Sequence, residues 1–357
     1  MRALARVDLA VIARNLSHVM DVAAPAQVMA VVKADAYGHG IVPVARTARD
    51  AGAAWLGVAY PREALTIRAV GDVGRILAWL WLPGDEDVAA CVDQDVDLGV
   101  SSMPHLDFLV RVASTRARVH LKVDTGLGRS GAALASWDAL VAAARVAQKA
   151  GKIELVGVWS HLANGELPND ASVVAQRETF ETASASLADL DLLRHLANSG
   201  ATLANPDTRF DLVRTGIAMY GLNPGYGRPA VTPAMSLHSE VALTKRVPVG
   251  HGVSYGHTWR ADAPTGLALI PMGYGDGIPR NAAGTVSIGE RRYPIVGRVA
   301  MDQFVVMTGD DEVNIGDPVE VFGPGPYTAD DFAAACGTIG YEIVTRISGR
   351  VSREYVS

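Results

Sequence analysis

Between residues 28 and 221 the chain alternates short, nearly continuous apolar runs with longer stretches of helical spacing. The runs are VMAVVK (28–33), AWLGVAY (54–60), RILAWLW (75–81), VDLGVS (96–101), RVHLKVD (118–124), LVGVWSH (155–161), LRHLANS (193–199) and FDLVRTGIAMYG (210–221). Alanine-rich segments lie between most of them. Two of these, GIVPVARTARDAG and SWDALVAAARVAQKAG, end in glycine, a frequent helix terminator. Continuous apolar strands alternating with amphipathic helices predict βαβ units and a parallel sheet. Eight such strands close a (β/α)8 TIM-type barrel. An open doubly wound sheet shares the periodicity. One detail favours the barrel. Polar residues end several runs, namely Lys33, Asp124, His161, Ser199 and Arg214, and closure gathers such ends at one mouth.

After about residue 235 the texture changes. SEVALTKRVPVGHGVSYGHTW, GLALIPMGYGDGIP, GTVSIGERRYPIVGRVAMDQFVVM and GDPVEVFGP are β-type runs split by glycine and proline, and TADDFAAACG is the best helical segment. The expected organisation is a barrel domain over 1–235 and a mainly β domain over 236–357.

Composition narrows the partners. The chain has 357 residues, 49% of them hydrophobic, and a net charge of −6. No long single-sign run is present, so nothing favours nucleic acid or anionic lipid. Two distant cysteines, Cys91 and Cys336, have no metal-ligand spacing, so neither a disulfide scaffold nor a zinc site is expected. No apolar stretch reaches membrane-spanning length, and the N-terminus carries charges throughout. A cytoplasmic protein is expected.

Lys33 raises the chemical question. It closes an apolar run, and burying an unpaired ammonium is expensive. A lysine in a partly desolvated pocket has a lowered pKa and is a competent Schiff-base amine. Glycines in KADAYGHG let backbone approach a ligand, and Tyr37 lies one helical turn on. The segments LANSG and VRTGIAMYG follow the seventh and eighth candidate strands, where barrels frequently bind phosphate.

The chain resembles the alanine racemases. VVKADAYGHG, LKVDTGLGRSG, SHLANGE, HLANSGA, VRTGIAMYGLNP, GVSYGHTW, GYGDGIPR, GRVAMDQ and GTIGYEIVTRI carry the resemblance, in the family's order and over nearly the whole chain. It implies pyridoxal 5′-phosphate (PLP) as cofactor, with Lys33 as its covalent anchor and first catalytic base. It implies Tyr37, Ser199, Gly216, Ile217 and Tyr341 as phosphate ligands, and Arg214 facing the pyridine nitrogen. Tyr255 matches the second base, and His161 a ring-side histidine networked with Tyr255 and Arg214. Arg129 and the Met301 backbone match binders of the substrate carboxylate. Tyr274 and Tyr341 match gate tyrosines. Asp302 and Arg280 sit in matching motifs with less definite roles. The counterpart of Lys122 is carbamylated in some relatives.

Further implications are a homodimer with shared sites, alanine as substrate, and supply of D-alanine for peptidoglycan. A racemase of broader or serine specificity is the nearest alternative. A decarboxylase on this scaffold uses a carboxylate where this chain has Arg214. A non-catalytic PLP carrier is a single barrel. His39 is expected to have a packing role.

Overall fold

The computed structural model describes residues 2–225 and 230–357. The first strand, β1 (Leu4–Asp8), is followed by a helix over Leu9–Ala23, which Asp8 caps by accepting from the Val11 N–H at 2.9 Å. Eight parallel strands come next: β2 (Gln27–Val31), β3 (Trp55–Val58), β4 (Arg75–Ala78), β5 (Asp97–Val100), β6 (Ala117–Lys122), β7 (Ile153–Trp159), β8 (Leu193–His195) and β9 (Leu212–Thr215). They pair in the order β8-β7-β6-β5-β4-β3-β2-β9. β8 and β9 meet where Asp211 N–H donates to the Arg194 carbonyl (3.1 Å) and Arg214 N–H to the Ala197 carbonyl (3.0 Å). The sheet is thus a nearly closed barrel of the expected TIM type.

Each predicted run overlaps one of these strands. The two helical segments ending in glycine are helices Ile41–Asp50 and Leu134–Lys149, and Gly52 and Gly151 have positive φ. The eighth run is a strand only over Leu212–Thr215. Gly216 leaves the extended region (φ −113°, ψ −88°), and Ile217–Tyr220 is a buried 3₁₀ turn.

Alternation within the strands separates two cores. Outward-facing apolar residues pack under the helices in the main cluster. Inside the barrel, Met29, Trp55, Leu77 and Leu212 form a small apolar cluster. The rest of the interior is polar: Asp97, His120, His195 and Arg214 are all buried.

The second layer is a nine-stranded sheet. Its order is Leu243–Val247, Thr265–Ile270, Phe304–Gly309, Arg291–Val296, Thr285–Ile288, Pro318–Phe322, Met235–Glu240, β1 and Ser352–Val356. β1 runs antiparallel to Met235–Glu240 (Leu4 opposite His238) and parallel to Ser352–Val356 (Leu4 opposite Ser352). The segment TADDFAAACG is helix Ala329–Ala335, begun by a Thr328–Asp331 capping box. A second helix, Gly340–Thr345, follows it and carries Tyr341. Among the described residues no helix is long and apolar enough to cross a membrane.

Candidate active site

Lys33 follows β2 by two residues and stands at the barrel mouth. The four residues after it, Ala34, Asp35, Ala36 and Tyr37, all have φ between +53° and +54°. The turn is therefore helical but left-handed. For L-residues that handedness costs about 1–2 kcal/mol per residue. Surrounding groups hold it. Glu63 accepts from the Ala34 N–H at 2.6 Å, and Asp35 accepts from the Ile41 N–H at 2.8 Å. His39 Nδ1–H donates to the carbonyls of Tyr37 (2.9 Å) and Ala36 (3.1 Å). Arg353, on the last strand, donates to the Gly38 carbonyl at 2.8 Å.

The turn aims Lys33 and Tyr37 into a cavity of about 980 Å³. Arg129, His161, Ser199, Arg214, Gly216, Ile217 and Tyr341 also line it. Nine of the expected site residues thus converge on one space. Asp124 does not: its carboxylate accepts from the Gly126 and Gly128 N–H groups and shapes their turn.

One end of the cavity gathers the hydroxyls of Ser199, Tyr37 and Tyr341. Ser199 Oγ accepts from the Gly216 N–H at 3.0 Å, tying the loops after β8 and β9 together. A Cβ at Gly216 would lie 2.4 Å from Tyr37 Oη, so glycine makes room for that hydroxyl. The Tyr37 and Tyr341 rings lie 6.2 Å apart, and burial raises both phenols well above their ordinary pKa. Both remain protonated hydroxyl donors near neutrality.

The centre is cationic. Burial, aided by Arg129 and Arg214 and opposed by Glu63, lowers the Lys33 pKa. Burial, with Arg214 and Arg129, pushes the Lys122 amine down to about 7. Lys122 Nζ donates to Ser130 Oγ and sits 4.3 Å from the Trp159 ring centroid. Arg214 has no carboxylate partner among the described residues. Its Nη2 donates to the Ser160 carbonyl (2.7 Å), the Leu196 carbonyl (3.0 Å) and His161 Nδ1 (3.2 Å). Burial lowers its pKa to about 9, which leaves it charged near neutrality. Burial and the neighbouring cations hold His161 well below its ordinary pKa, so it is a neutral acceptor.

Tyr255, Met301 and Tyr274 are elsewhere. Tyr255 lines a separate cavity of about 590 Å³ with Gly252, His257 and Ala300 on the second sheet. Gly275 N–H donates to the Met301 carbonyl at 2.8 Å, fastening the Tyr274 loop to the AMDQ loop. Tyr255 is 66% exposed, Met301 53% and Tyr274 38%. Within one chain these three do not line the Lys33 cavity. Asp302 accepts from Arg350 at 2.6 Å beside them.

The strand-end rule misses functional neighbours that sit deeper. Arg118, His120 and Lys122 alternate along one face of β6, a period-2 signal readable in RVHLK. Trp79 and Trp159 also line the cavity, and Glu63 reaches the lysine turn from a neighbouring helix.

Fold and site together define a barrel enzyme with a cation- and hydroxyl-lined cavity at its mouth and a β-rich companion sheet. The family model of the alanine racemase N-terminal domain matches residues 7–224, and that of the C-terminal domain matches 234–355. The alanine racemase of Frankia casuarinae is 48% identical over 372 residues, covering 100% of this chain and 97% of the relative. That of Thermobifida fusca is 49% identical over 364 residues, with 98% and 97% covered. The crystal structure of alanine racemase from D-cycloserine-producing Streptomyces lavendulae superposes with a TM-score of 0.96 at 46% identity, covering 100% of this chain and 97% of that one. A Bacillus anthracis alanine racemase structure with bound L-Ala-P gives 0.91 at 35%, covering 100% and 96%. The chain belongs to the alanine racemase family, a family of isomerases.

Proposed function

We propose that this enzyme interconverts L- and D-alanine with PLP held at the barrel mouth, each site being completed by a second copy of the chain. The observation that carries the reading is a desolvated amine, Lys33, in one cavity with an anion cradle and an arginine that has no carboxylate partner. The cavity fits the cofactor. Lys33 would anchor it. The Tyr37, Ser199 and Tyr341 hydroxyls, with the backbone at Gly216 and Ile217, would hold its phosphate. Arg214 would face its ring nitrogen. When bound, PLP acidifies the Cα–H of an amino acid.

The chain's own groups then divide the work. Racemisation removes a proton from one face of Cα and returns one to the other. Lys33 Nζ serves one face, because burial lowers its pKa and so favours the neutral, proton-accepting amine. Tyr255 Oη from the second chain serves the other. There it would stand beside the cationic group of Arg214, Arg129 and Lys122. Arg129 binds the substrate carboxylate together with the Met301 backbone, and Tyr274 and Tyr341 narrow the entrance. Arg214 donates and cannot accept a proton near neutrality, so it leaves a facing ring nitrogen unprotonated. With the cofactor bound, this arginine would thus favour return of the proton to Cα. Supply of D-alanine for peptidoglycan in the cytoplasm fits this activity.

The test is chiral detection of product from purified protein with PLP and L-alanine, with L-serine in parallel. D-alanine should accumulate toward equal amounts of the two forms, faster than D-serine, and Lys33→Ala should abolish both the turnover and the visible absorbance of lysine-bound PLP. No D-alanine from the wild type overturns the reading.

A further inference from the structure

Behind Arg214 a buried chain of polar groups runs down the barrel to its floor. Arg214 Nη1 donates to the His195 carbonyl at 2.8 Å and faces His195 Nδ1 at 3.1 Å. His195 Nε2 faces His120 Nδ1 at 2.9 Å. His120 Nε2 faces Asp97 Oδ2 at 3.1 Å. Asp97 opens β5 at the opposite end of the barrel from the mouth, and it also accepts from Arg75 Nη2 (2.6 Å) and Arg118 Nε (2.8 Å). Asp97, His120 and His195 are each 0% exposed.

The two ends of this chain fix everything between them. A guanidinium can only donate, and an ionised carboxylate can only accept. His195 Nδ1 must therefore carry a lone pair, so its proton is on Nε2. That proton points at His120 Nδ1, which must also be a lone pair, and His120 Nε2–H is left to donate to Asp97. Both imidazoles are neutral Nε2–H tautomers, and a second proton on either would set donor against donor. Burial alone would disfavour ionisation of Asp97, yet the hydrogen bond from His120 and the charges of Arg75 and Arg118 keep its pKa below the ordinary value. Aromatic walls keep the chain dry. Trp159 stacks on His195 at 5.6 Å with the planes 3° apart, and Trp55 packs edge-on to His120 at 5.3 Å. Gly157 makes room for the link, since a Cβ there would sit 2.4 Å from His120 Nδ1.

We propose that Asp97, acting through His120 and His195, is a positioning residue for Arg214: it sets the tautomers that hold Nη1 in place, so that Nε–H is the donor left for the cavity. The relay also gives the arginine a distant counter-charge where a neighbouring carboxylate would change the chemistry at the ring nitrogen. The inference rests on the reading of Arg214 as the partner of that nitrogen.

The test is ¹⁵N NMR of histidine-labelled full-length enzyme with PLP bound, on the wild type, Asp97→Asn and His120→Phe. In the wild type, His120 and His195 should both report neutral Nε2–H rings near neutral pH. Asp97→Asn, with native circular dichroism, should move the His195 ring resonances and lower kcat by ~10–100-fold, the range typical of lost support behind a site residue, with KM little changed. His120→Phe should do the same and decides the matter if Asp97→Asn does not fold. An Nδ1–H or doubly protonated ring in the wild type overturns the proposal. So does a folded variant with His195 resonances and kcat as in the wild type. The two readings fail differently: wrong tautomers in an enzyme that makes D-alanine defeat only the relay, whereas correct tautomers without D-alanine defeat only the racemase reading.

Discussion

Lys122 shows how one buried amine loads the site with unfavourable energy. Its folded pKa is about 7 against 10.5 ordinarily, with burial as the main cause. Below pH 7 the amine is charged in both folded and unfolded chains, and the folded state bears the full penalty. Between 7 and 10.5 the unfolded chain holds more protons, so stability rises with pH. Lys122→Met should therefore stabilise the fold, by on the order of 1 kcal/mol, most strongly below pH 7 and fading toward 10.5. Thermal melts across that range check the sign; a benefit that grows with pH contradicts it. Activity should fall, because the cavity loses a cation beside Arg129 and Arg214. At this scale the sequence was partly legible. Lys33, His161, Ser199 and Arg214 stood out because charge or polarity ended an apolar run. Asp97, His120 and His195 did not, because a polar residue inside a run reads as noise until strand alternation assigns it to the barrel interior.

The lysine-bearing turn is the element whose form the sequence concealed. KADAYGHG announces a turn after a strand, but of Ala-Asp-Ala-Tyr only the Asp is enriched at positive φ, and then as a single residue and not a four-residue run. Two side chains distant in sequence, Glu63 and Arg353, hold it, together with the neighbouring His39, whose expected packing role turns out to include two hydrogen bonds to the turn. The usual helix rule should then reverse. Ala34→Gly, at an exposed position with φ +54°, should raise stability by about 0.5–1 kcal/mol, the relieved αL cost less the entropy of glycine. Gly38→Ala should destabilise, since its φ is +79° and its Cβ would meet the Val344 carbonyl oxygen at 2.2 Å. Thermal or denaturant melts of the two variants check both signs, and destabilisation by Ala34→Gly would mean that the turn is not left-handed in solution.

At the scale of the whole molecule, the separation of Lys33 from Tyr255 is the governing fact. The barrel was legible from its βα rhythm because each strand lies in a short, mostly apolar run followed by a helical stretch. Strand order in the second sheet was not legible, because its short strands pair across long stretches of sequence. If a second copy brings Tyr255 to the Lys33 cavity, inactive Lys33→Ala and Tyr255→Ala chains should complement each other. After subunit exchange at equal amounts, half the dimers are mixed and each holds one intact site, so activity should return to roughly a quarter of the wild type. No recovery after confirmed exchange rejects the shared site.

β1 has a consequence for how this molecule comes to exist. It sits between Met235–Glu240 and Ser352–Val356, and among the described residues Ser352–Val356 pairs with no other strand. The barrel is thus an insertion between two neighbouring strands of one sheet. A nick between residues 224 and 234 would divide the sheet's strands between two fragments, which should stay together until denatured. On the ribosome, β1 emerges before the barrel and must wait through synthesis of the entire barrel for the strands that flank it. Its last partner is also the strand that carries Arg353 to the lysine turn. Completion of the lysine turn therefore waits until Ser352–Val356 has been made, and a ribosome stalled before residue 352 would hold a barrel whose lysine lacks that support.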